Sequence, residues 1–139
     1  MCLNSARYEE AIESFNKAIG IIGKRTPRMI GWMGAAYAKQ GKLDRATEFL
    51  NELIDMRKTT NAGSGNFYIA VVCSAMGKED EAIRWLEKAY LDHDMEMPWL
   101  ISEPQFYNLH KNTKFVELAR KIGFPESSLA KLKGTVNKR

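Results

Sequence analysis

The stretch LDHDMEM, Leu91 to Met97, places four side chains that could bind a metal close together: Asp92, His93, Asp94 and Glu96. Carboxylate oxygens and imidazole nitrogens are common ligands of zinc and other divalent ions. The spacing matches no recurring ligand pattern, and the other histidine, His110, is distant in the chain. We therefore expect a solvated turn here and no metal site.

A cysteine thiol could act as a nucleophile, and the chain contains Cys2 and Cys73. Cys73 falls at a packing position of a helical pattern, and neither histidine is next to it in the sequence, so no thiol–imidazole pair is indicated. The glycine-rich stretch NAGSGN lacks the lysine of a phosphate-binding loop, and the chain has no G-x-S-x-G or H-E-x-x-H motif. We expect reduced thiols, no catalysis and no cofactor.

Positive charge is concentrated at the C-terminal end. Residues 110–139 carry a net charge of +6 and residues 1–109 a net charge of −2, within a total of +4. The final KLKGTVNKR has no aromatic residues between its charges for stacking on bases, so nucleic acid is not the expected partner. No apolar run is long enough to cross a membrane and no signal peptide is visible, which predicts a cytoplasmic protein without a membrane partner.

Helical periodicity dominates the rest of the chain. Apolar residues recur at helical spacing in YEEAIESFNKAIGI, LDRATEFLNELIDM and EDEAIRWLEKAYL. Two further helices are predicted over about residues 28–40 and 64–76, ending at Gly41 and Gly77, which suit a left-handed helix end. No stretch alternates with the period of a strand, so the predicted class is all-α.

The helices repeat at a nearly fixed interval. Ala11, Ala46 and Ala82 occupy equivalent positions, separated by 35 and then 36 residues. Such a period indicates stacked helix pairs, none of which can bury its apolar face alone. The sequence therefore predicts an α-solenoid.

The second unit resembles the tetratricopeptide repeat family in GAAYAKQGKLDRA, with Gly34, Tyr37 and Ala46 at the positions of the family pattern. The resemblance implies a superhelix of antiparallel helix pairs in a single domain spanning 1–139. Its predicted parts are a partial first repeat 5–25, a second repeat 27–60, a third repeat 63–94, a degenerate fourth unit 96–123, a capping helix 124–133 and a basic tail 134–139. Because the first repeat lacks its first helix, we expect the chain to be a fragment of a longer array.

The degenerate unit also resembles the last unit of repeat arrays in multidomain bacterial regulators. Pro98 and Pro104 exclude one long helix there, while Phe115, Leu118 and Ala119 form an apolar stripe. This resemblance leaves open a second function, as the C-terminal regulatory or sensor segment of a larger signalling enzyme or transcriptional regulator.

In this family the first helices of the repeats line a concave groove that holds peptides. Trp32 lies opposite the packing stripe of its helix, and Tyr68 holds the equivalent place one unit later. The predicted peptide-binding residues are Arg28, Trp32, Ala35, Lys39, Ser64, Phe67, Tyr68 and Val71. The alternative is that both aromatics pack between adjacent repeats or under the missing N-terminal helix.

The predicted function is therefore that of a non-catalytic module that binds a protein or peptide segment in its concave face. Arg28 and Lys39 flank the aromatic pair, which predicts acidic residues beside an apolar anchor in the partner. The sequence does not specify an oligomeric state.

Overall fold

The computed structural model describes residues 2–23, 26–59, 65–94 and 97–130. Six α-helices follow one another: α1 (Cys2–Ile22), α2 (Pro27–Lys39), α3 (Leu43–Thr59), α4 (Asn66–Ala75), α5 (Glu79–Leu91) and α6 (Thr113–Ile122). Short 3-10 helices at Met97–Trp99 and Pro104–Leu109 precede α6. No strand occurs in the described ranges, and the predicted all-α solenoid of stacked helix pairs is confirmed.

The two repeat turns share one geometry. Gly41 has φ +84° and Gly77 has φ +85°, the left-handed conformation that glycine adopts without steric cost. After Gly41, the Lys42 amide donates to the Tyr37 carbonyl at 2.9 Å, and the Lys78 amide donates to the Cys73 carbonyl at the same distance. Each second helix is thus folded back on its first by the same hydrogen-bonded turn.

Helix α2 packs closely on α3, its partner in the repeat, and on α4 of the next repeat, because it carries glycines at both contacts. A methyl group added at Gly34 would lie 3.0 Å from Phe49 Cβ and 3.1 Å from Val72 Cγ2. At Gly31 the added methyl would lie 2.8 Å from Tyr68 Cβ. The backbone of α2 therefore lies directly against side chains of α3 and α4, and these contacts fix the distance between the helices.

Helix α4 is enclosed on every side. All of its residues from Asn66 to Ala75 are buried, and its neighbours are α2, α3, α5 and the 3-10 helix Pro104–Leu109. The Phe106 ring packs edge-on against Phe67, with ring centroids 5.3 Å apart, and Ser74 Oγ donates to Asn108 at 3.1 Å. Residues 97–109 thus cover the face of α4 that the repeat pattern left open.

The C-terminal unit closes the end of the stack. Phe115, Val116, Leu118 and Ala119 are the buried residues of α6, and Phe115 contacts Phe106 with ring centroids 6.2 Å apart. Gly123 ends the helix at φ +118°, and residues 126–130 form a further helical turn that buries Leu129. The rest of the predicted capping helix and the basic tail lie outside the described residues.

Candidate functional site

The acidic segment after α5 contributes hydrogen bonds to the fold. Gly65, the residue before α4, has no side chain to cap the helix, and Asp94 Oδ2 accepts from the Phe67 amide at 3.2 Å instead. Asp92 Oδ2 accepts from Asn66 Nδ2 at 2.8 Å. A carboxylate at a helix N-terminus accepts from an unpaired amide and faces the positive end of the helix dipole. Asp94 therefore caps α4 from a distant part of the chain.

His93 is a turn residue. Its φ of +60° makes it a non-glycine residue in the left-handed region, and the following Asp94 amide donates to the Ala89 carbonyl at 2.9 Å. This is the same turn that Gly41 and Gly77 make after the other helices. Among the described residues no group of three His, Cys, Asp or Glu could hold a metal ion, and Glu96 lies outside them.

Cys73 is fully buried in α4. Burial raises the pKa of its thiol to about 12, and the charge of Glu81 adds to the effect. A thiol held protonated and out of solvent is a core residue and a poor nucleophile. Most of NAGSGN, residues 61–64, lies outside the described part of the chain.

An apolar depression lies between α1 and α2, and we call it the Trp32 groove. Its volume is about 370 Å³, and it is lined by Tyr8, Ala11, Phe15, Trp32, Ala35, Ala36 and Glu103. Trp32 is 37% exposed, and the Phe15 ring meets it edge-on with centroids 5.9 Å apart. The indole is therefore held in place by α1 while one side remains open to solvent.

A second cavity shares Trp32 and Glu103 with the groove, and we call it the Arg28 pocket. Its volume is about 190 Å³, and it is lined by Arg28, Trp32, Phe67, Tyr68, Trp99, Ser102 and Glu103. Arg28 Nε donates to the Tyr68 hydroxyl at 3.3 Å, and the guanidinium carbon lies 5.5 Å from the centre of the Trp32 ring. Trp99 is 60% exposed, so two tryptophans offer apolar surface along this side.

The structure brings four of the predicted binding residues to the Arg28 pocket: Arg28, Trp32, Phe67 and Tyr68. It does not expose Tyr68 beside Trp32 as expected, because only 4% of Tyr68 is accessible. Tyr68 packs on Gly31, which corresponds to the alternative interpretation of packing between repeats. Tyr68 therefore contributes only a small accessible area to the lining of the pocket.

The other predicted residues are placed differently. Val71 is a core residue with no accessible surface, so the expectation that it lines an open face was wrong, again because α4 is enclosed. Ala35 lines the Trp32 groove, whereas Lys39 is exposed at the end of α2 and lines neither cavity. Ser64 lies outside the described residues. Whether any of these residues contacts a partner stays a prediction.

Sequence reasoning missed the walls that come from other parts of the chain. Tyr8, Ala11 and Phe15 belong to the apolar stripe of α1, which periodicity identified only as a packing face. Trp99 and Glu103 come from the proline-interrupted segment, where no periodicity indicates orientation. For this segment, the only sequence feature that could have indicated a binding surface was Trp99, directly after Pro98.

The model for the tetratricopeptide repeat matches residues 1–24 and 27–60. Searches of curated proteins and of solved structures returned no significant match. Within the described ranges, every helix is too short or too polar to span a bilayer. Residues 1–60 are therefore identified as tetratricopeptide repeats, and the same turn geometry and helix pairing continue through α4 and α5.

Proposed function

We propose that the chain binds a segment of a partner protein in the Trp32 groove and acts without catalysis of its own. Tetratricopeptide repeats are generally protein–protein interaction modules, and stacked helices offer extended surfaces for this purpose. The observation that carries the proposal is the position of Trp32. Trp32 lines both cavities and is partly exposed.

Trp32 has the properties of an interface anchor. Its ring contacts both the Phe15 ring and the Arg28 guanidinium, so little side-chain freedom is lost when a partner covers it. Aromatic anchors of this kind dominate many interfaces, and their truncation costs about 2 kcal/mol or more.

The lining of the groove favours binding over chemistry. Its walls are apolar except for the Tyr8 hydroxyl and the Glu103 carboxylate. Recognition there rests mainly on apolar burial. Such a surface suits a protein segment that presents a row of apolar side chains.

The proposal is tested by selecting peptides from a displayed random library against the full chain and measuring their affinity for variants. Trp32→Ala should weaken the selected peptides by about 30-fold, the equivalent of about 2 kcal/mol. Leu91→Ala is the matched control, because Leu91 is 71% exposed and lines neither cavity. It should leave affinity unchanged.

Thermal melts of each variant establish that it is folded, and Trp32→Leu replaces the alanine variant if that one melts early. A folded Trp32 variant that binds the selected peptides at full strength would refute the groove as the binding site. Failure to select any peptide would refute the proposed function itself.

A further inference from the structure

The side chain of His110 joins two parts of the C-terminal segment to α6. Its ring centroid lies 5.2 Å from that of Tyr107, in the 3-10 helix that ends just before it, and 5.5 Å from that of Phe115 in α6. The ring also hydrogen-bonds to the backbone of Ile101. Ile101 belongs to residues 100–103, which connect the two 3-10 helices and which we call the connecting loop. His110 therefore holds this loop from a later point in the chain.

The connecting loop contributes walls to both cavities. Glu103 lines the Trp32 groove and the Arg28 pocket, and Ser102 lines the pocket. The amides of Ser102 and Glu103 donate to the Trp99 carbonyl at 3.1 and 3.0 Å, and Trp99 also lines the pocket. The conformation of the loop thus determines where three of the wall residues lie.

The His110 ring is buried with one of its nitrogens unpaired. Only 7% of the residue is exposed, and no described residue hydrogen-bonds to its Nε2. The bond to the Ile101 carbonyl is therefore donated by Nδ1. A neutral imidazole fits this site, because its Nε2 then carries a lone pair and no hydrogen. Protonation would place a cationic N–H donor there without an acceptor, which is far more costly in a buried site.

Neighbouring charges do not compensate for this cost. Burial lowers the pKa of His110 and the hydrogen bond to Ile101 raises it, and no charged side chain among the described residues contributes to either effect. Among the described contacts of the ring, Tyr107 supplies the titratable group, α6 supplies the apolar Phe115, and the loop supplies backbone. The charged residues of these elements that lie nearest in the sequence are Glu103, Lys111 and Lys114. A proton on Nε2 therefore favours a state in which the ring has left its site.

We propose that His110 is a pH-sensitive latch, and that protonation of its ring releases the connecting loop from its place beside the two cavities. In the released state the ring is in water, where the protonated form is stable. Because the closed state binds this proton less tightly, a fall in pH below about 6.5 favours release. The latch goes beyond the proposed function, since it operates whether or not a peptide is bound.

Release of the loop leaves the rest of the C-terminal segment in place. Phe106 remains packed on Phe67, and Asn108 remains bonded to Ser74, because neither contact involves the loop or the His110 ring. The change is therefore local. It moves Ser102 and Glu103 away from the cavities while α4 stays covered by the 3-10 helix Pro104–Leu109.

Hydrogen exchange of single amides measures the release. It is followed by NMR on the full chain from about pH 7.5 to about pH 5.5, a range in which histidine titrates and most carboxylates stay ionised. Glu103 is the reporter, because its amide is hydrogen-bonded to Trp99 across the loop. Ile69 is the reference, because its amide donates to the Gly65 carbonyl at 2.9 Å in the enclosed helix α4. Dividing each rate by the intrinsic rate at that pH gives an opening constant.

The opening constant of Glu103 should exceed that of Ile69, and below about pH 6.5 it should rise by up to about 10-fold per pH unit, the limit for one bound proton. His110→Gln should remove the rise, since glutamine keeps a donor for Ile101 and has no titrating group. The control is His93→Asn, which removes the other histidine of the chain. His93 is exposed and its φ of +60° suits asparagine, so the rise should persist in this variant.

Three results would overturn the latch. Equal opening constants at Glu103 and Ile69 would mean that the loop opens only together with α4. An opening constant at Glu103 that does not change with pH would mean that protonation does not release the loop. A rise that persists in His110→Gln would assign it to another group.

If His110→Gln does not fold, His110→Phe replaces it, because phenylalanine fills an aromatic site and cannot bind a proton. It should likewise show no rise, and a rise in this variant would also overturn the latch. Peptide binding at one fixed pH tests the proposed function separately, so either proposal can fail while the other stands.

Discussion

Adding one methyl group at Gly31 tests how closely α2 and α4 approach. The methyl of Gly31→Ala would lie 2.8 Å from Tyr68 Cβ. Rotating the Tyr68 side chain cannot relieve a contact between two Cβ atoms, so the helices must separate. Overpacking of this kind costs about 1–3 kcal/mol, and replacing a helical glycine by alanine returns about 1 kcal/mol. We expect a net loss of about 1 kcal/mol.

Gly20→Ala is the matched control, because Gly20 is also helical but has no atom within 4 Å of an added methyl group. It gains the helix propensity without the clash. The two variants should therefore differ by about 1–3 kcal/mol in unfolding free energy, or roughly 4–12 °C in melting temperature for a chain of this size. Urea unfolding followed by circular dichroism measures the difference. If Gly31→Ala is as stable as Gly20→Ala, the close approach at Gly31 does not exist.

Four further changes probe separate features. Gly34→Leu should lower the unfolding free energy by about 1–3 kcal/mol by forcing a large side chain between α2 and α3, and an unchanged melt would contradict the close packing there. Asp94→Ala should cost about 1–2 kcal/mol by removing the cap of α4, with Asp94→Asn recovering part of the loss; equal loss in both would show that the capping oxygen is irrelevant. His93→Gly should raise stability by about 0.5–1 kcal/mol in the same urea assay by relieving the left-handed conformation, and a loss would show that its side chain matters more. Burial lowers the pKa of His110, so the unfolded chain binds a proton on this residue more tightly than the folded chain does, and stability should fall as pH drops through about 6.5. His110→Gln should make the urea unfolding midpoint less dependent on pH across that range. If the midpoint depends on pH as strongly in the variant as in the parent, His110 is not the cause.

The repeat architecture was predictable because its determinants are local and periodic. Apolar spacing placed α3 and α5 correctly, and Gly41 and Gly77 identified the two turns. Apolar spacing and turn glycines each determine the structure of the few residues around them, so they can be read from the sequence without knowledge of tertiary contacts.

The enclosure of α4 was not predictable in this way. The segment that covers it contains two prolines and folds as 3-10 helices, which have no long-range periodicity to indicate a buried face. The cap supplied by Asp94 was equally hidden, since it joins residues 27 positions apart and looked like part of a metal-binding cluster. The Trp32 groove was predicted only in its α2 wall, because its other walls depend on tertiary contacts.

The enclosure of α4 also affects the order in which parts of the protein unfold. In a simple repeat array each unit touches only its neighbours, so unfolding can begin at either end and progress unit by unit. Here Phe106 and Asn108 bind α4 directly, so the third unit and the C-terminal segment must open together and should exchange their amide hydrogens as one slow block. Helix α1, with Ile21 and Ile22 exposed at its end, forms the labile part. The Trp32 groove is lined by residues of α1 and α2 and by Glu103 of the C-terminal segment, so a ligand seated there would slow amide exchange in α1 and couple it to the slow block.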